Sequence, residues 1–106
     1  MRLFRQYANV TLDANGYGAV RLAPSAKTWD IRYLTVRVST RVAESRVSIY
    51  DNFIGAQWLI DTTPRGSSGD TSDTHIHIDD GNAIWVVWEN GDPGAIATVT
   101  YTGEEN

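Results

Sequence analysis

Apolar side chains in this chain recur at every second position rather than at helical spacing, so the pattern predicts β-strands from end to end. The signal is strongest at Ala83–Asn90, where Ile84, Val86 and Trp88 share one face while Trp85 and Val87 share the other. A strand apolar on both faces reads as a central one. The turn Gly91-Asp-Pro-Gly94 and a second β-rich run, Ala95–Thr102, follow, and the two runs are predicted to pair as a hairpin.

The same reading covers the rest of the chain. Leu3–Leu12 and Tyr17–Ala23 flank Asp13-Ala-Asn-Gly16 and are predicted to form a first hairpin. After a loop at Pro24–Lys27, a long strand opens at Trp29 and runs to about Thr40. Its parity slips from Trp29, Ile31 and Tyr33 to Leu34, Val36 and Val38, which requires a bulge near Tyr33-Leu34 or burial on both faces. Arg46–Asp51 and Ile54–Ile60 are predicted to pair across Asp51-Asn52-Phe53, with Val47, Ile49, Ile54, Ala56, Trp58 and Ile60 inward. The polar tract Asp61–Ser72 carries no core residue and reads as a mobile loop over 62–72. Thr74–Ile78 is a short strand with Ile76 and Ile78 on one side and His75 and His77 on the other; residues 103–106 read as a frayed tail. About eight short strands separated by turns predict an all-β fold, one antiparallel β-sandwich spanning 1–106, of jelly-roll or immunoglobulin-like type.

Composition narrows the setting. The chain has no cysteine, so neither disulfides nor thiolate metal sites contribute. No run approaches the roughly 20 apolar residues of a membrane helix, and Met-Arg-Leu-Phe-Arg lacks a signal peptide's apolar stretch, so no membrane partner and cytoplasmic synthesis are expected. Charge divides by halves. Residues 1–50 hold eight basic and three acidic side chains, a net +5, whereas residues 51–106 hold one basic and ten acidic, a net −9. Either the fold interleaves the halves and the charges meet as surface pairs, or it separates them into one basic and one acidic surface suited to ordered association.

No residues assemble a recognisable catalytic motif, so no enzyme and no cofactor are expected. The arginines of the Trp29–Thr40 strand give slight support to nucleic-acid binding, but the net charge of −4 opposes it. His75 and His77 project from one strand face, too few ligands for a closed site in one chain but six imidazoles around a threefold axis; the plainer reading is two solvent-facing histidines. Asp79-Asp-Gly-Asn82, or Asp70 with Asp73, could offer oxygens to Ca²⁺, though neither has the spacing of an EF-hand and a plain turn accounts for the first. Of the four tryptophans, two or three are expected in the core and one at an interface.

The segments Ala23–Ile31, Thr35–Thr40, the Ser-rich tract before Asp73, and Val87–Tyr101 resemble small virion-structural proteins of tailed phages that infect actinobacteria. That resemblance implies a β-sandwich present in many copies on a particle, as capsid decoration or as a collar or tail component, and so a virion localisation. Expected partners are copies of itself and other virion proteins. The expected contact residues are Trp85 and Val87 as an apolar face, Arg32, Arg37 and Arg41 as polar anchors, and the 62–72 loop with Arg65 reaching toward a neighbour. The alternative is a carbohydrate-binding or host-adhesion module at the virion surface, taking a glycan on exposed Trp and Asp side chains.

Overall fold

A computed structural model describes residues 2–39, 46–63, 68–72 and 75–106, with residues 63 and 68–72 as backbone only. Among these residues nine strands form in chain order: β1 (Arg2–Thr11), β2 (Gly18–Leu22), β3 (Trp29–Val38), β4 (Arg46–Asp51), β5 (Leu59–Thr63), β6 (Ser68–Ser72), β7 (Ile76–Ile78), β8 (Ile84–Glu89) and β9 (Ile96–Glu105). A single 3₁₀ turn, Ala56–Trp58, precedes β5, and the described residues hold no α-helix. The strands build two antiparallel sheets. The first has the order β1-β9-β3-β6, with β7 pairing the other end of β3; the second has the order β2-β8-β4-β5.

The all-β sandwich is as predicted and β4 pairs with β5 as expected, but two of the three hairpins that the turns suggest do not form. β1 pairs with β9 and β2 with β8, so neither β1–β2 nor β8–β9 is a hairpin. Each of these connections steps across the sandwich from one sheet to the other. Leu12 enters the core at the end of β1, and the Asp13 carboxylate accepts the backbone N–H groups of Asn15 (2.8 Å) and Tyr17 (3.0 Å), which fixes the corner. The two corners stack: Gly91 N–H donates to the Gly16 carbonyl (3.0 Å) and Gly94 N–H to the Leu12 carbonyl (2.9 Å). Gly16, at φ 71°, leaves no room for a side chain, since a Cβ there would lie 2.0 Å from the Gly91 carbonyl oxygen.

The parity slip in β3 resolves as a bulge. Ile31 opposes Gly103 and Tyr33 opposes Thr102, leaving Arg32 as the extra residue. Trp29 and Ile31 before it, and Leu34, Val36 and Val38 after it, then all face the core. Gly103 is required opposite: a Cβ there would fall 2.1 Å from the Asp30 carbonyl oxygen.

The core lies between the sheets. β2, β4 and β8 supply Leu22, Val47, Ile49, Ile84, Val86 and Trp88; the first sheet supplies β3's inner face, Ile76, Ile78, Ala97, Val99 and Tyr101. Phe4, Trp29 and Tyr101 make mutual ring contacts with centroids 5.2 to 6.0 Å apart at one end. The Trp88 indole N–H is buried with no hydrogen-bond partner among the described residues.

Three further expectations are corrected. β5 starts at Leu59 rather than Ile54, because Asn52 turns the chain at φ 68° and its side chain bonds Ala83 N–H (3.0 Å) and Asn82 (3.2 Å). Ile54, Ala56 and Trp58 therefore sit on the surface, not inward. Much of the polar tract is strand: Thr62 and Thr63 end β5, residues 68–72 form β6, and 64–67 lie outside the described residues. The tail is paired rather than frayed. β9 runs to Glu105, and Thr28 and Asn106 exchange backbone hydrogen bonds of 3.1 and 2.9 Å.

Candidate interaction surfaces

Strands from the basic half (β1, β2, β3, β4) alternate with strands from the acidic half (β5 to β9) in both sheets, so the strands of the described residues are not divided into a basic and an acidic side. The halves meet instead as ion pairs across the ladder: Arg2 with Glu105 at 2.9 Å and Arg32 with Glu104 at 2.6 Å. These are exposed on the arginine side and each contributes little to stability. Glu105 also accepts the Trp29 indole N–H at 2.9 Å, tying the end of β9 to the core.

The outer face of the second sheet is largely closed by its own side chains. Val87 is only 1% exposed, lying in register between Ala19 and Ser48, so it offers no contact area and this part of the expected apolar face is corrected. Trp85 is half-buried and donates its indole N–H to the Asn52 carbonyl at 3.1 Å. The Tyr17 hydroxyl has a raised pKa, first from burial and then from Glu89, Tyr50 and Asp13, which sets its ring among these outer-face neighbours.

Exposure shifts to the corner beside Trp85. The segment between β4 and β5 presents Phe53 (58% exposed), Ile54 (47%), Trp58 (37%) and Leu59 (44%). Phe53 and Trp58 touch with centroids 5.3 Å apart. Arg21, Asn52, Phe53, Ile54, Asn82 and Trp85 line an adjoining cleft of about 500 Å³. Arg21 and the nearby Asp51 have no ion-pair partner among the described residues. Sequence alternation missed this corner because Ile54, Ala56, Trp58 and Ile60 keep strand parity although the chain turns at Asn52.

The outer face of the first sheet is open and polar. In register across β1, β9 and β3 it presents Arg5–Thr102–Tyr33, then Tyr7–Thr100–Thr35, then Asn9–Thr98–Arg37. Arg37, expected as a polar anchor, stands here, while Arg32 sits in the bulge on Glu104 and Trp85 lies on the opposite sheet. The expected contact residues therefore do not form one surface. Arg41 and Arg65 lie outside the described residues.

His75 and His77 are both exposed, as the alternation predicts. His77 is held between two carboxylates, Nδ1 at 2.7 Å from Asp30 and Nε2 at 2.9 Å from Asp79. Its pKa is raised, chiefly by the hydrogen bond to Asp30 and next by that to Asp79. A ring donating from both nitrogens is an imidazolium with no lone pair for a metal, so metal binding through His77 requires one nitrogen to lose its proton and its carboxylate contact. Among the described residues no three histidine or carboxylate side chains are placed to hold a metal ion together. The oxygens of Asp79–Asn82 are engaged within the protein: Asp80 caps the Ala26 N–H (3.0 Å), and the Asp79 carbonyl accepts the Asn82 N–H (3.0 Å).

Comparison with protein-family models, curated proteins and solved structures gave no match.

Proposed function

We propose that this chain is a non-enzymatic structural protein that assembles in several copies on a larger particle, in the setting its sequence resemblance implies, a tailed-phage virion. The observation that carries the reading is the corner Phe53, Ile54, Trp58 and Leu59, four large apolar side chains exposed together on one short segment. Contiguous exposed apolar groups rimmed by polar ones mark protein contacts, and aromatic residues are enriched at such contacts. The partner is a second copy of the chain. A twofold contact must be self-complementary, and this corner is flanked by a cation, Arg21, and an anion, Asp51, neither of which is ion-paired among the described residues.

Quantitative mass spectrometry of purified particles tests the setting. The reading requires the chain in multiple copies per particle, released only when the particle is dismantled. Presence in the infected-cell lysate but absence from particles would overturn it.

A further inference from the structure

On the opposite face, we propose that the outer surface of β1, β9 and β3 is a binding trough for a carboxylate-bearing polysaccharide. This inference is independent of the corner contact, because the two surfaces lie on different sheets.

The trough follows from side-chain length. β9 places Thr98, Thr100 and Thr102 along its outer face, and these short side chains make a floor of hydroxyl groups. The flanking strands raise walls. β1 contributes Arg5 and Tyr7, and β3 contributes Tyr33 and Arg37. Between Arg5, Tyr7, Arg37, Thr98 and Thr100 the surface encloses about 430 Å³, within the range of ligand sites.

The chemistry of the walls selects the ligand. Tyr7 and Tyr33 are 70% and 55% exposed, an unusual display of two phenol rings on a solvated sheet. Their amphipathic faces can cover the apolar side of a sugar ring, while the hydroxyl floor exchanges hydrogen bonds with sugar hydroxyls. Arg5 and Arg37 have no carboxylate partner among the described side chains, in contrast to Arg2 and Arg32, which are paired. A guanidinium binds a carboxylate in a two-pronged hydrogen-bonded fork. The register sets the two arginines at opposite corners, roughly 17 Å apart at Cα, so they suit charges spaced along an extended chain.

A single-stranded nucleic acid is the competing ligand, since it also combines stacking with charge. Its phosphates are contiguous, however, and the trough offers two arginines, Arg5 and Arg37, without an ion-pair partner among the described residues, in a chain of net charge −4. The sparse charge and the hydroxyl floor favour a polysaccharide.

The test is native electrophoresis of the purified chain through gels containing hyaluronate or neutral dextran, with fluorescence anisotropy on oligothymidylate alongside. Hyaluronate is expected to retard the protein and dextran not to. Arg37→Ala and Arg5→Ala should each weaken the hyaluronate interaction about tenfold, and Arg37→Lys less than Arg37→Ala. Tyr33→Ala should also weaken it, and added salt should weaken it further. Trp58→Ser, on the other face, should leave it unchanged. Equal retardation by dextran, tighter binding of oligothymidylate than hyaluronate, no retardation by either polysaccharide, or full binding by Arg37→Ala would overturn the proposal.

Discussion

β8 and β9 each run through the middle of a sheet, yet their outer faces are opposites. β8 carries Trp85 and Val87 outward, and its neighbours close over them until Val87 is only 1% exposed. β9 carries Thr98, Thr100 and Thr102 outward and leaves them as the floor of an open trough. The difference lies in the alternation. Ile-Trp-Val-Val-Trp-Glu is apolar at both parities, so both faces of β8 must be withdrawn from water; Ile-Ala-Thr-Val-Thr-Tyr-Thr is apolar mainly at one, so β9 buries one face and displays the other. One sandwich thus has a sealed outer face and a wet one, and exposed apolar side chains cluster not on the sheet but at the adjoining Phe53–Leu59 corner.

The contrast depends on the stacked corners that send β1 and β9 to one sheet and β2 and β8 to the other. Gly16→Ala places a Cβ against the Gly91 carbonyl at a backbone conformation that L residues disfavour. It should cost about 4 kcal/mol, seen as a lowered midpoint in chemical denaturation. The next test compares the two outer faces directly. Val87→Asp buries a carboxylate without a partner and should cost at least about 3 kcal/mol, whereas Thr100→Asp, at the equivalent central place on the other sheet, should change stability by less than about 0.5 kcal/mol. Equal losses would show that both faces are sealed.

The smallest effect concerns the edge where β7 joins β3. His77 has a raised pKa, so the imidazolium bridge between Asp30 and Asp79 stabilises the fold fully below the ordinary histidine value of 6.5 and is lost as pH rises through the raised value. Thermal midpoints should therefore fall slightly as pH rises above about 6.5. His77→Gln should flatten that dependence, because it removes the titrating ring.

Local pattern revealed what local chemistry determines. The slip from Ile31 to Leu34 announced a bulge, and Ile76 and Ile78 were readable as inward with His75 and His77 outward. Strand partners were not readable: Asp13–Gly16 and Gly91–Gly94 reverse a chain equally well within a sheet or between two sheets. What decides is the pairing of β1 with β9 and β2 with β8, contacts between opposite ends of the chain. β6 was hidden for a related reason, since Ser68–Ser72 joins the sheet edge through backbone pairing with β3 despite its polar sequence. The tail was hidden by its charges, which proved to be partners for Arg2 and Arg32. Of the candidate surfaces, Arg37 was legible as an exposed strand arginine. Its companions Arg5, Tyr7 and Tyr33 join it only through register across three strands, and the Phe53–Leu59 corner appears only once the chain after Asn52 is seen to bend and form a 3₁₀ turn before the next strand begins at Leu59.

The most direct test of assembly through that corner is molar mass in solution, by light scattering behind size exclusion over a range of concentrations, for the wild-type chain and for Trp58→Ser and Phe53→Ser. The wild type is expected at twice the monomer mass or more and both variants at the monomer mass, with their thermal midpoints little changed. A wild-type chain that stays monomeric at every concentration, or variants that associate as the wild type does, would contradict it.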